Sequence, residues 1–340
     1  EEPKDLKRKW KFWTKVLKSP RVIAAPMVRH SDLPTRMQWR AQGATVCYTP
    51  MIDADKYVAG DASVREKYFT TCSGDRPLIA QIGASNARDF VEAALLLQAH
   101  VDAVELNLGC PQRRAKAKCF GAFLMDYPDR VCDMVSQAVA KCRVPVLCKI
   151  RLLPLLSDTI MFSRAVQRAG ATLLTVHGRT REQTRHGLYP ADWDKIATIK
   201  QSVCIPVVAN GDVKSTNCAH QCTEQTGCEG SMVATALLAN PHLFSMPPSS
   251  PPHTPTPKAQ LKFLTEYLHF STSYKGASGE MLATHLVDTV VVPCLQPDSN
   301  RDILPFVEGV DSFETALRRL GELACVLSEL FDGQNKEVSE

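Results

Sequence analysis

The sequence predicts an α/β fold: a (β/α)8 TIM barrel followed by a small C-terminal helical domain. Three observations carry this expectation. Eight short apolar runs recur along the first 245 residues. Stretches with helical spacing separate them, and strand alternating with helix argues for a parallel sheet. The eight units extend over about 230 residues, the length of such a barrel. The rival is an open doubly wound sheet. It would carry a glycine-rich phosphate loop after its first strand, where this chain reads Ala25-Pro26-Met27.

Taken in order, residues 1–20 form an N-terminal basic segment, in which Leu6–Leu17 has the spacing of an amphipathic helix. Packing against the barrel is its first expected role and contact with a polyanion its second. The barrel is expected over residues 21–245. Its strands are read at Val22–Ala25, Thr45–Tyr48, Leu78–Gln81, Val101–Leu106, Val144–Ile150, Thr172–Val176, Ile205–Ala209 and Gly230–Ala234. Between them, Ala87–Leu97, Val131–Cys142 and Thr159–Ala169 repeat apolar residues at helical intervals. Residues 246–257 are rich in Pro, Ser and Thr and read as an extended linker. Residues 258–334 form the helical domain, with periodicity at Leu261–Phe270, Gly279–Val292 and Ser312–Leu330 and Ser312 as an N-cap.

The chain has 340 residues, 44% apolar and 22% charged, as in an ordinary globular protein. No apolar run approaches the ~18 to 20 residues that cross a bilayer, so no membrane role is expected. The opening Glu-Glu-Pro-Lys does not read as a signal peptide and, lacking Met, points to a start further upstream. Thirteen cysteines, odd in number and irregular in spacing, suggest a reducing compartment with mostly buried free thiols, Cys47, Cys148 and Cys204 among them. A cytoplasmic monomer is expected, with the nucleus as the alternative. The group Cys218, His220, Cys222 and Cys228 lacks a Cys-x-x-Cys pair and reads as a helix, so no metal is expected. Net charge is +4, yet residues 258–340 carry 7 basic and 13 acidic side chains. The rest of the chain is therefore clearly basic, which suits a polyanionic partner.

The residues that close the eight strands are Pro26-Met27, Tyr48, Gln81, Asn107 with Cys110, Lys149 with Arg151, His177, Asn210-Gly211-Asp212 and Ala234-Thr235-Ala236. Parallel barrels build their chemistry at this rim. One polar residue there is usually structural, whereas eight positions along one rim are hard to assign to chance. Gly109 and Pro111 stop the fourth strand, which leaves Cys110 in a rigid loop rather than inside the strand where a core-filling thiol would lie.

Ala25-Pro26-Met27, Leu106–Gln112, Gly121–Leu124, Cys148–Arg151, Val176–Thr180 and Ala209–Asp212 resemble the tRNA-dihydrouridine synthase family. The resemblance runs from about residue 21 to residue 244 and continues more weakly at Ala283-Thr284-His285-Leu286. Asn-x-Gly-Cys-Pro, Lys-x-Arg and His-Gly-Arg-Thr in this order form a specific combination, while Asn-Gly-Asp alone is weak. Cys47–Met51, Gly121–Leu124 and Thr180–Gln183 are most similar to the eukaryotic branch acting on D-loop uridines 16 and 17.

The resemblance implies FMN as cofactor, NADPH as reductant and tRNA as substrate. The reaction it implies is reduction of the uracil C5–C6 double bond, with hydride delivered to C6 and a proton to C5. Cys110 is the implied proton donor, since a free thiol with a pKa near ~8.5 is protonated at neutral pH. Implied cofactor contacts are Pro26, Met27, Gln81, Lys149, His177, Asn210, Gly211, Asp212, Ala234 and Thr235. Implied substrate contacts are Asn107, Tyr48, Arg151 and Arg179. Plainer roles stand beside these: a structural thiol at Cys110, an Asn107 that caps its own turn, and an ion pair for Lys149. The target base lies inside folded tRNA and must be turned out, with shape and phosphate contacts positioning the RNA. Arg113, Arg114, Lys116, Lys118, Arg179, Arg181 and Arg185 flank the expected mouth.

The chain departs from the family pattern after the eighth strand. Relatives carry Gly-Arg-Gly where this chain has Ala234-Thr235-Ala236, ahead of Asn240-Pro241. Losing the Arg removes a charge-assisted contact of roughly 1.5–3 kcal/mol. Ala236 would add a kcal/mol or so (~1) if its backbone had to be left-handed. FMN binding weaker than typical is the expectation. Ala117 and Cys119 replace the family's usual Lys and Gly. Two other functions fit the same residues: a flavin barrel that reduces a free pyrimidine, and a tRNA-binding protein that has lost catalysis.

Overall fold

The computed structural model describes residues 3–184, 188–247 and 257–276. Helix α1 (Pro3–Lys11) runs on as a π-helical turn at Phe12–Val16, then come β1 (Val22–Ala24) and α2 (Leu33–Ala41). Next are β2 (Cys47–Tyr48), β3 (Ile52–Asp53), α3 (Ala54–Ala59), α4 (Ala62–Tyr68), β4 (Leu78–Gly83) and α5 (Ala87–Leu97). They are followed by β5 (Ala103–Leu108), α6 (Arg113–Lys118), α7 (Pro128–Lys141), β6 (Val146–Leu152) and α8 (Leu156–Arg168). The order ends with β7 (Leu174–Thr180), α9 (Trp193–Ser202), β8 (Val207–Asn210), α10 (Thr216–Thr226), β9 (Gly230–Val233), α11 (Thr235–Ala239) and α12 (Pro257–Ser273).

The strands pair in parallel in the order β1-β9-β8-β7-β6-β5-β4-β2, with the short β3 added on β4. Ala24 N–H donates to Val46 O (3.3 Å), which brings the two ends of the sheet together as a barrel. Strands buried on both faces read as near-continuous apolar runs, which is why all eight were legible. Side chains alternate across each strand. On β5, Val104, Leu106 and Leu108 join the outer core beneath helix residues such as Phe90, Met134 and Phe162. Ala103 joins the inner core with Ile23, Val46, Ile79, Leu147, Leu173, Val208 and Met232. Phe12, Trp13 and Leu17 pack into this inner cluster, so the N-terminal segment stoppers the lower end of the barrel.

Side-chain oxygens start several helices: Asp32 accepts from Thr35 N (3.2 Å), Asn86 from Asp89 N (2.9 Å) and Ser215 from Cys218 N (3.1 Å). The last of these opens α10, which carries Cys218, His220 and Cys222 as expected, and no group of residues suited to a metal ion exists among the described residues. The described cysteines are all free. Cys204, expected to be buried, is exposed, because it lies in the turn before β8. Buried Asp75 accepts from Arg36 (2.7 Å) and Arg40 (2.9 Å) and ties α2 to the approach of β4. Helix α12 rests on α2: Gln38 Nε2 donates to Phe263 O (3.0 Å), Tyr267 OH donates to Asp32 Oδ2 (2.8 Å), and Phe263, Leu264 and Tyr267 are buried. Most of the expected linker, and the periodic segments Gly279–Val292 and Ser312–Leu330, lie outside the described residues.

Candidate active site

Above the apolar floor of the barrel the inward positions turn polar. Strand register sets their order: Gln81 lies beside Glu105, Asn107 beside Lys149, Arg151 beside His177, and His177 beside Asn210. Gln81, Asn107, Lys149, Arg151, His177 and Arg179 therefore sit inside strands, while Tyr48 and Asn210 end theirs. Strand β7 continues to Thr180 rather than ending at Val176. A register shift between Arg151 and Leu152 lets Leu152 pair with Thr180, which keeps His177 and Arg179 in the strand.

One half of the site is a hydrogen-bond chain from β2 to β5. Tyr48 OH donates to Glu105 Oε2 (3.0 Å) and Gln81 Nε2 donates to Glu105 Oε1 (2.8 Å). Asn107 Nδ2 donates to Gln81 Oε1 (2.8 Å), while Asn107 Oδ1 accepts from the N–H groups of Gly109 and Cys110 (both 3.0 Å). The turn-capping role of Asn107 is thus real, and one Nδ2 hydrogen remains for a ligand. Tyr48 does not reach the mouth. Its short strand pairs low on β4, at Ile79, and the ring is wholly buried.

The Cys110 loop is held from three sides. Arg151 Nε donates to Gly109 O (2.7 Å) and Arg151 Nη1 to Thr180 O (2.9 Å). Ala122 N–H donates to Cys110 O (3.0 Å). Gly121, at φ +62°, passes so close that a Cβ there would meet Cys110 O at 2.7 Å. Burial pushes the Cys110 thiol above its ordinary range, against smaller opposing effects of a Gln112 backbone hydrogen bond and Arg151. The group is a half-buried, protonated thiol.

The other half is a cavity of about 620 Å³ over β7, β8 and β9. His177, Arg179, Asn210, Gly211, Asp212, Ala234, Thr235 and Ala236 line it. Lys149 Nζ donates to Asn210 Oδ1 (2.9 Å), and Asn210 Nδ2 donates to Met232 O (3.0 Å). Burial lowers the Lys149 ammonium and raises the Glu105 carboxyl, while each attracts the other's charged form. Arg179 Nη2 pairs with Asp212 Oδ1 (2.5 Å), and Nη1 lies 3.2 Å from His177 Nε2. A guanidinium only donates, so His177 accepts at Nε2 and carries its hydrogen at Nδ1. Arg179 is 1% exposed, which places it with the cofactor candidates and not on the surface. Pro26 and Met27 follow β1 in a turn in which His30 and Ser31 N–H donate to Met27 O (both 3.1 Å).

The departure after β9 needs no left-handed backbone. Ala234 has φ −124°, and Ala236 lies within helix α11. The left-handed positions are instead Gly211 (φ 117°) and Asp212 (φ 59°). A cavity of this size, lined by the Lys214 ammonium, the Arg179 guanidinium paired with Asp212, the amides of Asn210 and Asn240, the His177 imidazole and the Thr235 hydroxyl, suits a flat ring system with a polar tail. The donor set fits a flavin mononucleotide.

The surface cations divide. Arg181 is tied to Asp126 (2.6 Å) and Glu182 (2.8 Å), Lys118 to Asp55 (2.6 Å), and Arg114 to Asp53. Arg113 and Lys116 stand exposed on α6, and Arg185 lies outside the described residues. Glu105 was missed from sequence, although a lone carboxylate in the run Val104-Glu105-Leu106 was the available signal.

Comparison with known proteins places this geometry. The family model described as Dihydrouridine synthase (Dus) matches residues 22–278. A tRNA-dihydrouridine(16/17) synthase-like protein of Rattus norvegicus is 42% identical over 237 residues, 69% of this chain and 54% of that protein. A tRNA-dihydrouridine(20a/20b) synthase-like protein of Mus musculus is 43% identical over 226 residues, 66% of this chain and 68% of that protein. The chain spans about half the length of the rodent 16/17 relatives it matches. Among solved structures, a 2-naphthoyl-CoA reductase complex superimposes with a TM-score of 0.51 at 9% identity, over 66% of this chain and 49% of that one, a likeness of fold.

Proposed function

Because the chain belongs to the dihydrouridine synthase family, we propose that it reduces uridine to 5,6-dihydrouridine in tRNA, with FMN as cofactor and NADPH as reductant. The observation that carries the proposal is the Cys110 loop: a half-buried thiol clamped by Asn107, Arg151 and Gly121 at the mouth of a polar-lined barrel. FMN, when bound, supplies the hydride delivered to C6. Cys110 holds the proton for C5, and burial keeps it on sulfur at neutral pH. The remaining Asn107 Nδ2 hydrogen orients the base through a carbonyl. Gln81, Lys149 and His177 face the ring system, with Lys149 held in place by Asn210 and adding positive charge there. Gly211, Ala234 and Thr235 line the end of the cavity suited to the phosphate. Thr235 offers a hydroxyl where relatives offer a guanidinium, so weaker FMN binding than theirs belongs to the proposal. Arg113 and Lys116 meet tRNA phosphates, and the region 258–334 adds further contact.

We assign the reaction to D-loop positions 16/17, on the segments Cys47–Met51 and Thr180–Gln183. Positions 20a/20b are the second reading, favoured by the 43% identity to the mouse protein. Mapping dihydrouridine in tRNA treated with the purified protein separates the two. The first test is the visible absorption spectrum before and after anaerobic NADPH. Flavin bands that bleach are expected, and a protein still colourless after reconstitution with FMN overturns the reductase reading. Cys110→Ala is expected to keep flavin and tRNA binding and lose dihydrouridine formation. Full activity in that variant would remove Cys110 from the mechanism.

A further inference from the structure

Glu105 is wholly buried on β5, and the mechanism above gives it no part. Two donors converge on it, Tyr48 OH and Gln81 Nε2. Burial raises the Glu105 carboxyl to about 7, while the Gln81 bond, the Lys149 charge and the Tyr48 bond favour the ionised form, and an ionised carboxylate only accepts hydrogen bonds. In that form it sets, from the barrel side, the direction of every bond beyond it. Gln81 must turn its NH2 to Glu105, so its Oε1 faces Asn107. Asn107 must donate to that oxygen at 2.8 Å, which leaves its own Oδ1 facing the loop. There it accepts from Gly109 and Cys110 N–H at 3.0 Å each. The two ends of an amide have nearly the same shape, so packing alone does not choose between the two directions.

We propose that Glu105 is a positioning residue whose carboxylate fixes the direction of the Gln81–Asn107 chain and thereby anchors the Cys110 loop. Its catalytic meaning rests on the reading of Cys110 as proton donor. Its structural content does not. Without the carboxylate the direction is held from the loop end alone, by the Gly109 and Cys110 N–H groups. Reversed, Asn107 turns its NH2 onto two backbone N–H groups, and the loop loses both bonds.

The test is alkylation of Cys110 by iodoacetamide in the full chain, resolved by peptide mass spectrometry, with exposed Cys204 as internal reference. Glu105→Met is expected to raise the Cys110 rate about 5- to 10-fold, the equivalent of one lost hydrogen bond or slightly more, with Cys204 unchanged. Glu105→Gln, which no longer imposes a direction from its own end, is expected to raise it less. The exchange variant Gln81→Glu with Glu105→Gln restores a single acceptor between two amide donors. Asn107 again donates toward position 81, and the Cys110 rate is expected to return to that of the parent. A side chain needed only for packing would give no such rescue. If Glu105→Met does not fold, the contrast between Glu105→Gln and the exchange variant carries the test. A parental Cys110 rate in the folded single variants, or no rescue by the exchange, overturns the proposal. The assay uses neither tRNA nor NADPH. A parent chain that forms no dihydrouridine would therefore overturn the proposed function and leave this inference standing.

Discussion

Gly121 controls how closely two loops pass at Cys110. A Cβ at position 121 would lie 2.7 Å from Cys110 O and 2.9 Å from Cys110 Cβ, and the backbone is left-handed at φ +62°. Gly121→Ala is expected to cost about 1–2 kcal/mol from the backbone alone and to displace the thiol. Dihydrouridine formation should fall by more than the loss of folded protein explains, which parallel thermal melts and activity assays would check. The pH dependence of the reaction follows from the same loop. Burial raises the Cys110 thiol above the ordinary range, and the proton donor works only in its acid form. The rate of the chemical step should therefore stay level through neutral pH and decline only as pH rises past that raised value. A Cys110-dependent decline between pH 7 and 8, read in single-turnover experiments, would contradict the assignment. At this scale Cys110 was legible from sequence, because Gly109 and Pro111 mark its loop locally. Glu105 was not, because its partners lie 57 and 24 residues away.

Among the elements, α2 depends on a buried charge cluster. Asp75 is fully buried and accepts from Arg36 and Arg40. Removing one partner of such a cluster leaves uncompensated buried charge, so Asp75→Ala is expected to cost about 3–5 kcal/mol in denaturant unfolding. Burial pushes the Asp75 carboxyl up, but the two guanidinium groups outweigh it and hold the carboxyl below the usual range. Its contribution is therefore complete above the unfolded-state pKa and is lost as pH falls through the lower folded value. The acid limb of the stability curve should flatten in Asp75→Asn. The helices themselves were readable where the periodicity is clear, as at Ala87–Leu97, which the structure reproduces and caps with Asn86. The two-residue β3 was not, because a pair of residues has no period to read.

For the molecule as a whole, the first helix beyond the Pro-rich stretch is part of the barrel's packing. Phe263, Leu264 and Tyr267 are buried, and Tyr267 bonds the cap of α2. A chain ending at residue 256 gives up about 1.5–3 kcal/mol for each of these side chains and should melt well below the parent. A chain ending at residue 276 keeps α12, so it is the variant in which to measure tRNA affinity. Weaker tRNA binding with the flavin retained is expected there, and unchanged affinity would remove the contact role of the region beyond.

The sequence by itself determined the barrel, because strands buried on both faces must be apolar and the helices between them must show one apolar face. It also determined the family, because Asn107-Leu108-Gly109-Cys110-Pro111, Lys149-Ile150-Arg151 and His177-Gly178-Arg179-Thr180 are contiguous motifs. Only the tertiary structure decided which polar side chains meet. Strand register put Glu105 beside Gln81, moved Arg179 into the cavity wall against Asp212, and left Tyr48 beneath the mouth. Pattern along a chain reports what each residue needs from its surroundings. Pairing across a closed sheet reports which residues supply it.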